Sequence, residues 1–269
     1  MTDFDYLMES DDEALRLDLK TDPEVIEKLA LWAGIKPGMR IADIGCGSGK
    51  AAFYLHKLIQ PGGQTIGIDG SDQRLNYARE HYSAEGIEYV CKNLLQPLDD
   101  LGRFDFIWLR FILEYFRSKS FDIVKNVSTF LKPGGILCLI DLDCNCLRFF
   151  GFGERLEKTV IAIMKALEIN ADFDPYIGVK LYTYLYDLGF QDLDVLVTPH
   201  NLTFGQLNDT AAFNWTKKVE VAAKNSGYTF EDYPGGFEEF FEEFKRAFTD
   251  PRRFHYSPLI CCKGHKPLK

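Results

Sequence analysis

No apolar run in this 269-residue chain approaches the ~18 consecutive residues needed to cross a bilayer. Positive charge is scarce: 31 Lys and Arg stand against 40 Asp and Glu, a net charge of −9. Such a surface repels phosphate backbones, and no basic patch interrupts it, so nucleic acid is not an expected partner. Metal-ligand spacing is missing as well. There is no Cys-x-x-Cys and no His-x-x-x-His, and no metal is expected. The seven cysteines are an odd number without the spacing of a small disulfide scaffold, which predicts reduced thiols. The start, Met1-Thr2-Asp3-Phe4-Asp5, is acidic and lacks the basic opening and apolar core of a secretory leader. A cytoplasmic location is the expectation. Repeats, low-complexity tracts and flexible linkers are also absent, and the composition is that of an ordinary globular protein.

What is present alternates. Thr21-Asp22-Pro23-Glu24 reads as a capping box opening a helix that Gly34 stops, and Lys36-Pro37-Gly38 turns the chain into a strand at 40–44. Further strands are predicted at 64–69, 87–91, 104–109 and 136–142, separated by helices at 50–59, 72–83 and 120–132. The run 136–142 is apolar throughout, as expected where both faces of a parallel sheet are covered. This rhythm predicts an α/β, doubly wound sheet. Beyond it, helices are expected at 154–169 and 178–188, a strand at 192–198, a largely helical stretch at 204–249 and a last strand at 259–262. The expected organisation is one domain over 1–269. A helical cover (1–34) precedes a core formed by 35–148, 178–198 and 254–267, and the segments 149–177 and 203–252 are inserted as a helical cap.

The first strand runs into Asp43-Ile44-Gly45-Cys46-Gly47-Ser48-Gly49, an acid near the strand's end followed by glycines at alternate positions. Glycine lets such a turn form and lets a flat ligand approach the backbone. The second strand ends in Asp69, 20 residues after the last of these glycines, where an acid can accept from both ribose hydroxyls. The alternative is helix capping by Asp69 or Ser71. A dinucleotide loop would need its third glycine at position 50, which is Lys50, and Asp43 would repel a pyrophosphate. The ligand expected here carries a cationic amino-acid end and no phosphate, as S-adenosylmethionine does.

On these residues the chain resembles the class I S-adenosylmethionine-dependent methyltransferases, in the flavour of the ubiquinone/menaquinone-type small-molecule enzymes. Further matches are Gly67-Ile68-Asp69-Gly70-Ser71, Cys91-Lys92-Asn93-Leu94-Leu95, Phe104-Asp105-Phe106-Ile107-Trp108 with Leu113-Glu114, Leu131-Lys132-Pro133-Gly134-Gly135 and Pro258-Leu259-Ile260-Cys261-Cys262-Lys263-Gly264. The resemblance implies a Rossmann-like seven-stranded sheet of order 3-2-1-4-5-7-6, its last strand antiparallel. It implies that Gly45, Cys46 and Gly47 meet the methionine end of the cofactor and that Asp69, followed by Gly70, holds the ribose. Asn93 would meet the adenine amino group and the N–H of Leu94 a ring nitrogen. The family usually has Asp at the position of Asn93, but an amide oxygen also accepts from an amine; the alternative for Asn93 is a turn residue. Arg110 would lie at the cofactor–substrate boundary. Arg16 would hold the methionine carboxylate from an N-terminal helix, the alternative being a surface arginine. Many relatives carry His after Leu113-Glu114, where this chain has Tyr115.

The function this implies is methyl transfer to a small-molecule acceptor by in-line displacement, with no catalytic base assigned. The sequence leaves open a non-catalytic S-adenosylmethionine-binding module, an NAD-dependent oxidoreductase, and the oligomeric state, a homodimer included. Other features carry two readings each. Cys144-Asn145-Cys146 is a soft-metal or metalloid site, or packing. The Phe237, Phe240, Phe241, Phe244 and Phe248 stripe is cap core, or a lid over a lipophilic acceptor. Tyr176, Tyr182, Tyr184 and Tyr186 line the acceptor pocket or bridge core and solvent. His200 is a general base, or an exposed loop histidine.

Overall fold

The computed structural model describes residues 7–8, 13–96, 98–145 and 147–268. Two helices come first, α1 (Glu13–Lys20) and α2 (Pro23–Ala33). The capping chemistry of α2 is shifted by one residue from the expected box. Asp22 is the N-cap and accepts the Glu24 N–H at 2.9 Å, while the Thr21 hydroxyl donates to the Leu17 carbonyl at 2.7 Å. Gly34 ends α2 in the left-handed region at φ 100°, its N–H on Ala30 and Leu31 carbonyls.

Five parallel strands and their crossover helices follow: β1 (Arg40–Ile44), α3 (Lys50–Leu58), β2 (Gln64–Asp69), α4 (Asp72–His81), β3 (Ile87–Cys91), β4 (Phe104–Arg110), α5 (Ser120–Ser128) and β5 (Leu131–Leu142). Then come β6 (Phe149–Phe150), α6 (Glu154–Asn170), α7 (Leu181–Asp187), β7 (Gln191–Phe204), α8 (Asp209–Asn225), α9 (Gly236–Thr249) and β8 (Phe254–His265). The sheet order is β3-β2-β1-β4-β5-β8, with β7 on the far side of β8. The two-residue β6 continues the β5 edge of β8. Because β8 runs antiparallel to its neighbours, the path is the expected 3-2-1-4-5-7-6 with one short strand added.

Strands of a doubly wound sheet are apolar on both faces because helices cover both. Here α2 and α3 pack Ile26, Leu29 and Leu55 against Ile41, Trp108 and Ile140, while α5 and α7 pack Val124, Val127 and Leu181 against Ile44, Leu109 and Leu139. Adjacent Cys261 and Cys262 fall in opposite layers, as strand alternation requires. The inserted helices α6, α8 and α9 form a third core around Phe240, Phe244 and Phe248. The phenylalanine stripe is therefore cap core, with Phe237 and Phe241 half-buried beside it. None of the four tyrosines lines the cavities described below: Tyr176, Tyr182 and Tyr186 are exposed, the last two stacked on one another, and Tyr184 shares a 2.8 Å hydrogen bond with Ser120.

Phe244 stacks on Phe248 and meets Phe152 edge-on at the centre of this cap. Replacing a fully buried phenylalanine by alanine costs about 3–5 kcal/mol. Phe244→Ala is expected to lower the unfolding free energy obtained from urea titration by that amount, and Phe241→Ala by much less; equal losses would contradict the packing described.

Candidate functional site

The ends of β1, β2 and β4 open into a cleft of about 840 Å³ that Asp43, Gly45, Cys46, Gly47, Asp69, Gly70, Asn93, Leu94 and Arg110 all line. Nine of the ten residues singled out by sequence therefore share one cavity. Arg16 does not line it. Its guanidinium grips Glu13 one turn back through two 2.7 Å bonds and faces a second cavity. Within the cleft, the cation that α1 contributes is instead Lys20, one turn further on.

The glycine turn is pinned inward. The N–H groups of Gly45 and Cys46 both donate to the Ile68 carbonyl, at 2.7 and 3.0 Å, and Gly49 donates to Cys46 at 2.9 Å. The N–H of Gly47 donates to Asp69 Oδ2 at 2.9 Å. Gly45, Gly47 and Gly49 all adopt positive φ, and a Cβ on Gly45 would come within 2.0 Å of Ile112 Cδ1. Anion-binding loops present converging N–H donors to their ligand. With these four donors engaged, carbonyl oxygen and Cα–H surface remain for a ligand, which suits a cation rather than a phosphate.

Asp43 reinforces that preference. Its side chain is 2% exposed, and Oδ2 has no hydrogen-bond partner. Burial pushes its carboxyl up to about 7, opposed by the Arg110 guanidinium and reinforced by the charge of Asp69. The oxygen left without a hydrogen-bond partner can receive a cationic ligand, beside the Ala52 N–H and the Arg110 guanidinium that already favour the ionised form. Asp69 is more occupied: Oδ1 accepts from Ser71 N–H at 3.0 Å and from Arg74 Nε and Nη2 at 3.1 and 3.0 Å. Ser71 is the N-cap of α4, so the capping alternative belongs to it. Asp69 Oδ2 takes only the Gly47 N–H among the described donors, and its second lone pair can accept one hydroxyl. Asn93 closes its own turn, accepting Leu95 N–H at 2.9 Å, while lining the cleft. Burial and neighbouring carboxylates hold Cys46 a thiol, so it is no nucleophile.

A second cavity of about 350 Å³ meets the cleft at Lys20, Phe111 and Tyr115. Phe111 follows β4 with φ 58°, an uncommon backbone for a bulky residue. Its ring stands 5.1 Å from Lys20 Nζ, 4.7 Å from Arg110 Cζ and 5.0 Å from the His200 ring. His200 is not in an exposed loop. It lies within β7, which continues to Phe204, and lines the second cavity. Burial, with Arg110, Lys20 and Lys218 nearby, holds its imidazole well below the ordinary value and thus neutral. Burial likewise lowers Lys20 to about 7, with Arg16 adding to the effect and Glu13 opposing it. Cys144 is half-buried at φ 49°, Cys146 lies outside the described residues, and no metal-holding cluster occurs among the described residues.

Residues 42–139 match the family model described as a methyltransferase domain. A 2-phytyl-1,4-naphtoquinone methyltransferase of Synechococcus elongatus is 33% identical over 116 residues, covering 41% of this chain and 49% of that one. Residues 42–139 are a methyltransferase domain. The chain spans about half the length of the curated relatives it matches first. Among solved structures, a Bacillus halodurans protein provisionally named a methyltransferase superposes with TM-score 0.57 at 19% identity, over 91% of this chain and 99% of that one. The [4+2]-cyclase SpnF superposes with TM-score 0.57 at 18% identity, over 92% of this chain and 81% of that one. Both likenesses are of fold. The methyltransferase fold is that of S-adenosylmethionine-dependent enzymes, and the cleft fits that cofactor: a buried carboxylate with one free oxygen for its cationic end and a second acid for its ribose.

Outside the methyltransferase motifs, sequence reasoning missed Lys20, Arg74 and Phe111. Arg74 carried a local signal, an arginine in the first turn of the helix after Asp69. Lys20 and Phe111 carried none, because what surrounds them comes from β7 and α8.

Asp43 gives the domain a pH signature. An acid whose folded value is about 7, against ~3.9 unfolded, contributes stability that is fully present below pH ~4 and lost as pH rises through about 7. Asp43→Asn is expected to melt higher than the parent at pH 8 and alongside it at pH 4–5. Because a cationic ligand requires the ionised form, S-adenosylhomocysteine affinity should weaken roughly tenfold per pH unit below about 7. The Asn variant should bind poorly with no such slope; calorimetric titration at several pH values measures both.

Proposed function

We propose that the chain is an S-adenosylmethionine-dependent methyltransferase acting on a small-molecule acceptor that enters through the second cavity. The observation that carries this reading is the pairing of Asp43's buried carboxylate, whose Oδ2 has no hydrogen-bond partner, with a glycine turn whose N–H donors are engaged. A nicotinamide dinucleotide would bring a pyrophosphate to a place that offers it a carboxylate and few donors.

The cofactor supplies an already activated methyl group, its sulfonium leaving as a neutral thioether. The protein's part is to bind, orient and exclude water. Asp43 holds the cationic end, Asp69 Oδ2 a ribose hydroxyl, and Asn93 and Leu94 the adenine edge. The helix α1 covers the turn: Leu17 leans on Gly47, Lys50 Nζ donates to the Asp18 carbonyl at 2.9 Å, and the Tyr82 hydroxyl bonds the Asp18 carboxylate. Phe111 and Tyr115 mark the passage by which an acceptor atom would reach the methyl group. Both neutral His200 and a Lys20 with a value near 7 stand by to take a proton from an acceptor that must lose one.

Calorimetry of the purified chain is expected to show heat of association with S-adenosylhomocysteine and none with NAD, and Asp43→Asn should weaken the former at least about tenfold at pH 8. Incubation with methyl-labelled S-adenosylmethionine and a metabolite extract should move label into a small molecule. Binding without transfer would favour a non-catalytic module; absence of binding would remove the assignment.

A further inference from the structure

We propose that the 350 Å³ cavity is a subsite for a small planar organic acid whose carboxylate is held by Lys20 and Lys218, an assignment that rests on the methyl-transfer reading of the adjoining cleft. The cavity's walls are of two kinds. Phe111, Tyr115, Trp215 and the His200 ring form flat aromatic surfaces. Between them stand three cations, Arg16 and Lys20 from α1 and Lys218 from α8.

Two carboxylates, Glu13 and Glu114, oppose these cations, and the positive charge is in excess when Lys20, lowered to about 7, is protonated. Glu13 is engaged by the bidentate contact with Arg16. Glu114 accepts Asn145 Nδ2 at 2.6 Å, and Asn145 turns its oxygen to Lys218 Nζ at 2.9 Å, so an amide stands between that lysine and the nearest acid. Lys20 has neither a hydrogen bond nor an ion pair among the described residues; the Phe111 ring is its neighbour at 5.1 Å. Asp141, behind Glu114, is pushed upward by burial and by the charge of Glu114, opposed by the N–H groups of Leu142, Glu114 and Leu113 that donate to it. At the cavity's far side two buried polar atoms, Thr203 Oγ1 and Asn214 Oδ1, have no partner.

An anionic oxygen would give Lys20 and Lys218 a charge-assisted partner and can accept from the Thr203 hydroxyl, whereas the Asn214 amide oxygen needs a ligand donor such as a hydroxyl. The flat walls suit a planar body stacked on them. Size sets the other limit. The cavity holds on the order of ten waters' volume, and the apolar space beyond it in the cap, about 40 Å³ beside Met164, Phe240 and Phe244, holds little more than one. A long isoprenoid tail has no room there.

The test uses the full chain saturated with S-adenosylhomocysteine, which closes the cofactor cleft to competing anions. Benzoate, 4-hydroxybenzoate and 3-phenylpropanoate are titrated against their neutral amides by NMR, with the His200 ring resonances as reporter. The acids are expected to bind at least about tenfold more tightly than the amides and to raise the pH at which His200 titrates. Lys218→Met should weaken the acids about tenfold while leaving S-adenosylhomocysteine affinity unchanged, which also shows that the variant folds. Equal binding of amides, absence of acid binding, or acid affinity indifferent to Lys218→Met would overturn the proposal. Lys20→Met that weakens the cofactor product and spares the acids would do the same, because it would give Lys20 to the cofactor's own carboxylate. If the parent fails to bind S-adenosylhomocysteine, the methyl-transfer reading falls separately, and the acid-to-amide ratio is read on the ligand-free chain.

Discussion

The architecture of this protein depends on one short set of hydrogen bonds, those that tie the turn after β1 to the end of β2. Two N–H groups share the Ile68 carbonyl and a third takes the Asp69 carboxylate. These bonds fix where the chain crosses the carboxyl edge of the sheet. They also decide the electrostatic character of the cleft, because a donor engaged inside the protein is not available to a ligand. The same geometry in a phosphate-binding loop points its N–H groups outward. Here the outward-facing charge is that of Asp43, whose ionisation costs free energy in the empty protein and is recovered when a cation arrives.

The sheet and the cap divide the work. The residues proposed for the cofactor's nucleoside sit at a strand end or just after one, Asp69 on β2 with two paired neighbours and Asn93 after the edge strand β3 with one. The second cavity is built from α1, β7 and α8, elements that meet only through side chains. Its two ends also differ in rigidity: α1 is clasped to α3 and α4 through Asp18, Lys50 and Tyr82, whereas α8 rests on the cap core through Trp215. A scaffold of this kind keeps donor chemistry constant while the acceptor side varies, which is why a shared fold includes a protein named a cyclase and argues so little about the substrate.

The strands that carry the cleft were legible almost to the residue, β1 to β3 at their observed limits, because each is a compact apolar run bounded by glycine, proline or an acid. The strands at the other edge were not. The run after residue 198 in β7 reads Pro-His-Asn-Leu-Thr-Phe, polar and alternating, and becomes strand only by pairing with Phe254 and His255, more than 50 residues away. This one extension explains why His200 was read as a loop residue. Arg16 failed for a different reason. A motif places an arginine on the correct helix but is blind to a glutamate three residues earlier that captures it. Phe111 shows the limit most clearly, since nothing in Arg-Phe-Ile announces a left-handed backbone; the ring is turned by what packs around it.

On the proposed reading Asp43 faces the cationic end of the cofactor and the lysines of the second cavity face an anion, and that arrangement constrains the reaction. A cation held by Asp43 and an anion held by lysines annihilate their charges when a methyl group passes from one to the other, so tight pairing of the attacking atom would stabilise the ground state more than the transition state. The cation nearest the cofactor should therefore be the weak one. Burial gives Lys20, at the passage between the cavities, a value near 7, so that about half of it is uncharged at neutral pH. Lys218 lines the outer cavity and the cap space but not the cofactor cleft, so in holding the carboxylate together with Lys20 it draws it away from the attacking atom. Strong binding placed at a distance, with a yielding group beside the reacting atoms, turns acceptor affinity into orientation without stabilising the nucleophile against attack.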